Sequence, residues 1–230
     1  MLFNYLDKYL GLAEEVVSTA RYMFRTGLAH GTAGNVSARL SGGEGLLITP
    51  SGKNYGALSP QELCFVDWQG KVFSGNPGPS SELPLHLAAY FSRPDCKAVV
   101  HNHSTYASVL AVTRTDLPVI MDELTMVIGG GVKVAKYGFP GTQELALNFV
   151  EALDDRQAAI LANHGMVAIG ANLREAMIVC ETVERVSRVF VEASRFGKII
   201  TIPNESYEHQ REDFLRKKAH EKVQEAGVTA

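Results

Sequence analysis

The chain has 230 residues, 46% hydrophobic and 20% charged, which is enough apolar material for a packed core and excludes the low-hydrophobicity class of disordered chains. Its 22 Lys and Arg against 25 Asp and Glu leave a formal charge of −3, which excludes a general binder of nucleic acid or of anionic membrane. The N-terminal apolar stretch is broken by Asp7, Glu14 and Glu15, and no window reaches the roughly 18 apolar residues of a membrane helix. The expectation is a soluble, cytoplasmic protein of one domain, 1–230, with Cys64, Cys96 and Cys180 as reduced core thiols.

From Tyr5 to Leu28 apolar residues recur at helical spacing and predict one amphipathic helix, ended by Gly27. Short apolar runs follow in GTAGNVSARL (31–40), GLLITPSG (45–52) and LCFVDWQGKVF (63–73). They predict strands, with a hairpin tip at Asp67-Trp68-Gln69-Gly70 and a Pro/Gly-rich stretch at 75–79. Ser80 or Ser81 is a candidate cap for a helix through LPLHLAAYF (83–91), with Glu82 in its first turn. KAVVHNH (97–103) reads as a strand leading into a helix from about Thr105 to Val112. Gly129 to Gly131 make a turn into VKVAKY, and Thr142 caps a helix to Leu153. AAILANHGMVAIG (158–170) predicts two strands parted by Asn163-His164-Gly165, and Leu173 to Phe196 another helix. Beyond Pro203 the chain is polar, a mobile tail with a basic run at Arg216, Lys217, Lys218 and Lys222 on a solvated face. Interleaved strands and helices without a repeat predict a layered α/β domain. Gly31-x-x-Gly34 precedes a strand instead of opening a helix, so the dinucleotide-binding fingerprint is absent.

The densest chemical signal is His101-Asn102-His103. Period-two geometry places the two imidazoles on one strand face while Asn102 points away. His164 ends another apolar run beside Gly165. Three histidines around an open position make a catalytic zinc site; the same spacing also describes half-buried histidines bonded to main chain. Glu82, at a helix start after two serines, is either an ordinary first-turn glutamate or a carboxylate facing a site. His86, four residues on in an apolar helix, reads as a satisfied core histidine. GTAGNVS (31–37), TPSGKNY (49–55) and GPSSE (78–82) each combine hydroxyls, glycines and backbone N–H groups, the ingredients of a phosphate cradle or of an ordinary turn.

Taken together, GTAGNVS, TPSG, SSE, HNH and NHG, in that order, resemble the class II aldolase and adducin family, and within it the zinc-dependent aldolases of the L-fuculose-1-phosphate type. The resemblance covers roughly Tyr5 to Gly197. It implies a three-layer α/β/α fold with a central mixed, largely antiparallel sheet. It implies Zn²⁺ on His101, His103 and His164, with Glu82 as the acid/base, and a phosphate pocket from Thr32, Asn35, Ser51, Gly52, Ser80 and Ser81. It further implies a C4 homotetramer with active sites between subunits. The activity implied is cleavage of a ketose 1-phosphate of the fuculose, ribulose or 5-deoxyribulose type, through a metal-stabilised enediolate, to dihydroxyacetone phosphate and an aldehyde. In such aldolases a tyrosine after the zinc pair handles the aldehyde fragment. Here PVIMDELTMVIGG (118–130) carries Asp122 and Glu123 instead, similar to the pentulose 5-phosphate 4-epimerase branch, while Tyr207 is a candidate for a second family tyrosine in the tail. The epimerase, a phosphosugar-acid decarboxylase and a thioribulose-phosphate dehydratase are alternatives on the same site. An adducin-like binding module is the non-enzyme alternative, and the intact His and Glu set argues against it.

Overall fold

A computed structural model describes residues 5–75 and 78–228, with side chains to 221. Asn76 and Pro77 of the Pro/Gly-rich stretch, and the Lys222 side chain, lie outside the described residues. The expected first helix is two: α1 (Tyr5–Lys8) and α2 (Leu10–Arg25). Tyr9 breaks the run at φ −118°, because its side chain is turned inward, with the hydroxyl 2.6 Å from Glu44 and the ring against Phe65. Ala13, Val16, Val17, Ala20 and Met23 form the buried stripe of α2.

Strands β1 (Asn35–Arg39), β2 (Gly45–Ile48), β3 (Cys64–Asp67) and β4 (Val72–Ser74) form a meander. The β3–β4 turn falls at Asp67 to Gly70, where the Gly70 N–H donates to the Asp67 carbonyl. Helix α3 (Leu83–Ser92) leads to β5 (Ala98–Asn102) and α4 (Thr105–Thr113). A π-helical turn, Leu124–Ile128, precedes β6 (Val134–Ala135), α5 (Gln143–Leu153), β7 (Ala158–Leu161), β8 (Gly165–Gly170) and α6 (Leu173–Ala193). Thr142 caps α5 as expected, its hydroxyl accepting from the Leu145 N–H, and Asn172 caps α6 in the same way. The eight strands run in the order β4-β3-β2-β1-β5-β8-β7-β6, every pair antiparallel except β6 with β7, so the sheet is mixed and largely antiparallel as expected.

Alternation along the strands builds the three layers. Val36, Ala38, Leu47, Val100, Ile160 and Met166 face a core roofed by α2, α4 and α6. Leu46, Ile48, Val99, Leu161, Val167 and Ile169 face the opposite core, roofed by α3 and α5. Both faces are covered, so the central strands are apolar throughout rather than alternating with polar residues. The three cysteines are buried and form no disulfide.

The tail forms a helix, α7 (Asn204–Val228). Phe214 is buried, Arg211 pairs with Asp155 and donates to the Gly129 carbonyl, and Lys218 lies 3.5 Å from Glu175. The basic run is thus partly neutralised by its own surroundings. Among the described residues no helix is long and apolar enough to cross a membrane.

Candidate active site

β1 and β5 are neighbours, with Asn35 opposite His101 and Ser37 opposite Val99. On β1, Asn35 and Ser37 carry polar groups to the α3 side of the sheet, while Val36 and Ala38 enter the other core. His101 follows Val99 by two residues and shares its face, which brings it to the N-terminal end of α3 and to Glu82. Glu82 is the N-cap of α3 rather than a first-turn residue, and its side chain makes no cap bond. Ser80 accepts from the Glu82 N–H one step outside the helix, which frees the carboxylate to turn inward. Glu82 Oε2 lies 2.9 Å from His101 Nε2 and accepts from Asn35 Nδ2 at 3.0 Å, while Oε1 lies 3.4 Å from His164 Nε2.

The three predicted histidines converge. His101 Nδ1 donates to the Met166 carbonyl at 2.9 Å, which turns its Nε2 toward His103 Nε2, 3.0 Å away. The ring centroids are 4.8 to 4.9 Å apart and the rings are steeply inclined to one another, at 67° to 79°. Asn102 points away, its Oδ1 accepting from the Ser104 N–H. His164 sits in the β7–β8 turn behind Asn163, which adopts a left-handed conformation at φ 56°. Arg114, also left-handed at φ 54°, donates to the Asn163 side chain and locks the turn to the end of α4. Gly165 has no alternative: a Cβ there would stand 2.3 Å from the Asn102 carbonyl and 2.9 Å from the His103 ring. Gly34 is held at φ +80° beneath the His101 carbonyl, where a Cβ would come within 2.7 Å.

The electrostatics suit a cation. Burial, then the charges of His101 and His164, lowers His103 to about 3. Burial and His101 lower His164 to about 4. Both are neutral imidazoles near pH 7, as metal ligands must be. Burial alone would raise Glu82, but the charge and hydrogen bond of His101, the His164 charge and the Asn35 amide hold it well below the usual carboxylate range. One imidazole nitrogen from each of the three histidines lies within 4.8 Å of the others, and the carboxylate beside them is ionised. This donor set fits a divalent metal.

A cleft of about 200 Å³ opens beside His103, His164 and Glu82. Thr32, Ser51, Gly52, Ser80 and Ser81 line it, so the three hydroxyl-glycine loops do come together, with Pro140 completing the rim. Backbone bonds from Ser51 N–H to the Gly78 carbonyl and from Ser80 N–H to the Thr49 carbonyl join the second loop to the third. The Tyr55 hydroxyl donates to the Gly34 carbonyl and ties in the first.

The structure gives contacts for four further residues singled out in the sequence. Asn35 lines the cleft, and its side chain also bridges Glu82, through Nδ2, and His86, through Oδ1. Tyr207 lies away from the cleft within one chain, its hydroxyl over Gly130. Asp122 accepts from Gln210 on α7 and Glu123 pairs with Arg185 on α6, so neither lines the cleft. His86 is buried as expected, but it belongs to the site's support. Its signal in the sequence was the i, i+4, i+8 spacing of Glu82, His86 and Tyr90 on one helix face.

Fold and cleft together are those of a class II aldolase, a metal-dependent lyase. The family model described as Class II Aldolase and Adducin N-terminal domain matches residues 14–191, and the chain belongs to that family. It is 38% identical over 180 residues to L-fuculose phosphate aldolase of Escherichia coli K12, covering 78% of this chain and 82% of that one. It is 35% identical over 202 residues to 5-deoxy-D-ribulose 1-phosphate aldolase of Bacillus thuringiensis serovar kurstaki, covering 87% and 94%. Among solved structures, an L-fuculose 1-phosphate aldolase superposes with a TM-score of 0.84 at 36% identity, covering 88% of this chain and 95% of that one.

Proposed function

We propose that the protein is a zinc-dependent aldolase that cleaves a ketose 1-phosphate to dihydroxyacetone phosphate and an aldehyde. The observation that carries this reading is the junction of the His101, His103 and His164 cluster and Glu82 with a cleft walled by three hydroxyl-glycine loops. His101, His103 and His164 would hold Zn²⁺, which when bound supplies a Lewis acid for the negative charge developing on the substrate's carbonyl and adjacent hydroxyl oxygens. Hydroxyls of Thr32, Ser51, Ser80 and Ser81, with Gly52 admitting close backbone approach, receive the phosphate. The lining has no Lys or Arg among the described residues, so the dianion meets dipoles and N–H groups rather than a fixed counter-charge. Phosphate held there sets the reacting carbons beside Glu82.

On cleavage the C4 hydroxyl gives up its proton, ultimately to solvent, as the aldehyde forms; the C3–C4 bond breaks and its electron pair stays with the phosphate-bearing fragment. Glu82, which must first take up a proton from solvent, passes it to that carbon. In the condensation direction Glu82 removes the carbon-bound proton, a step that an ionised carboxylate at hydrogen-bond reach of the cleft performs. Tyr207 is assigned the aldehyde-side proton only across a subunit boundary, in a homotetramer with shared sites. The exposed rings of Tyr137 and Phe139 beside the Pro140 rim support such an interface. Three buried cysteines without a disulfide support a cytoplasmic setting.

The test is a coupled assay for dihydroxyacetone phosphate released from L-fuculose 1-phosphate, L- and D-ribulose 1-phosphate and 5-deoxyribulose 1-phosphate, with chelator and with added Zn²⁺. Chelator-sensitive release from one of them is expected, and light scattering should give a tetramer. Zinc-loaded protein that releases nothing from any of the four overturns the reading.

A further inference from the structure

Behind Glu82 the space between β1 and α3 is filled by polar side chains where the surrounding core is apolar. Asn35, Ser37, His86 and Tyr90 are 3%, 0%, 0% and 2% exposed, and they form one chain of hydrogen bonds that ends on the Glu82 carboxylate. With Glu82 as a carboxylate and His86 as a neutral imidazole, valence sets its direction. An ionised carboxylate only accepts, so the Asn35 amide must present Nδ2 to Glu82, at 3.0 Å, and Oδ1 to His86. Oδ1 only accepts, so His86 Nε2, 2.5 Å away, carries the ring hydrogen. A neutral imidazole has one such hydrogen, so Nδ1 is bare and accepts from the Ser37 hydroxyl at 2.6 Å. Ser37, having spent its hydrogen, accepts from the Tyr90 hydroxyl at 2.8 Å. Every donor in the chain points toward Glu82, and each bond polarises the next in the same sense.

We propose that His86, with Ser37 and Tyr90 behind it, is a positioning residue for the proton-transferring carboxylate: acting through Asn35, it pins Glu82 Oε2 and leaves Oε1 as the oxygen that moves the proton. This rests on the reading of Glu82 given above as the acid/base. Glu82 Oε1 has no hydrogen-bond partner among the described residues, although it is buried, whereas Oε2 is held by Asn35. The fold does not require these polar groups. A matched set of apolar side chains of the same shape would fill the β1–α3 space at little cost, whereas a partly satisfied set would be costly.

Two measurements on the full chain test this. Long-range proton–nitrogen correlation spectra of histidine-labelled protein, taken with and without Zn²⁺, should show His86 as the Nε2–H tautomer near pH 7.5. An Nδ1–H tautomer or an imidazolium overturns the chain. The second is the rate of deuterium uptake from solvent into dihydroxyacetone phosphate, without aldehyde, by zinc-loaded variants. Gln at 86 places an amide donor where Nε2 stood, and His86→Gln should exchange within about 3-fold of the parent. Asn is shorter, able to meet Ser37 but not Asn35. His86→Asn should lose about 10- to 100-fold in kcat with KM and zinc content unchanged, the scale of a base displaced by a fraction of an ångström to an ångström. Ser37→Ala, which removes a single hydroxyl and tests the chain if the His86 variants fail to fold, should lose about 3- to 10-fold. Equal losses in His86→Gln and His86→Asn, or none in either, reduce His86 to packing and overturn the proposal. A parent enzyme that exchanges no deuterium sinks the aldolase reading instead, and the tautomer spectrum still decides whether the chain exists.

Discussion

His86 offers a second, independent handle through stability, and His86→Gln is the perturbation. Burial first, and the His101 charge second, push the His86 imidazole down to about 3, against 6.5 for the free side chain, with Glu82 opposing in part. Between those values the unfolded chain binds a proton that the folded chain refuses. Stability from this site is therefore complete above about pH 6.5 and drains away as the pH falls toward about 3. At about pH 5 the unfolded imidazole is protonated by a factor of roughly 30 while the folded one stays neutral, which amounts to about 2 kcal/mol relative to about pH 7.5. Urea unfolding of chelator-treated wild type and His86→Gln at the two pH values isolates the effect, since every other titrating group is common to both proteins. Wild type should lose about 2 kcal/mol more than the variant on acidification, seen also as a melting temperature about 4 to 8 °C further depressed. Parallel profiles for the two proteins would refute the reasoning, because a histidine that titrates normally in the folded state carries no such linkage.

Replacing His103 with Ala should remove bound metal and activity together while the chain stays folded; full activity in a metal-free variant, checked by metal analysis beside the aldolase assay, contradicts the metal mechanism. Glu82→Gln should keep its metal and lose roughly 10² or more in rate, and an unchanged rate removes the carboxylate from the chemistry. Gly165→Ala drives a Cβ to within 2.3 Å of the Asn102 carbonyl and against the His103 ring, so it should destabilise the chain by about 2 kcal/mol or more and weaken metal binding; thermal melting and zinc titration indistinguishable from wild type would show that the turn can yield.

The catalytic cluster was legible because its geometry is local. Two histidines two residues apart at a strand end must share a face, and a histidine before a glycine in a strand-to-strand turn has room beside it. The partnership of Asn35 with Glu82 and His86 was not legible. It depends on the β1–β5 register that sets Asn35 opposite His101 and on the packing of α3 against β1, and no spacing within GTAGNVS reveals contacts to residues 47 and 51 positions away. Asn35 therefore read as one more member of an anion-binding loop. The break at Tyr9 escaped notice for a related reason, since helical periodicity runs through it and only the distant Glu44 and Phe65 hold the side chain inward. For Asp122 and Glu123, which stand where a tyrosine was sought, the partners Gln210 and Arg185 come from helices whose approach the local pattern does not place.

The place of β5 at the middle of the sheet bears on how the protein is made. Its neighbours β1 and β8 lie on opposite sides of it, and β8 begins at Gly165 while β5 ends at Asn102. At a synthesis rate of about 5 to 20 residues per second, the ribosome takes about 3 to 12 s to supply the missing neighbour. During that interval Ala98, Val99 and Val100 can pair only with β1, and their other side is an open edge of the kind that recruits foreign strands. His164 arrives with the same late hairpin, so the cluster of three histidines is complete only when that hairpin is in place.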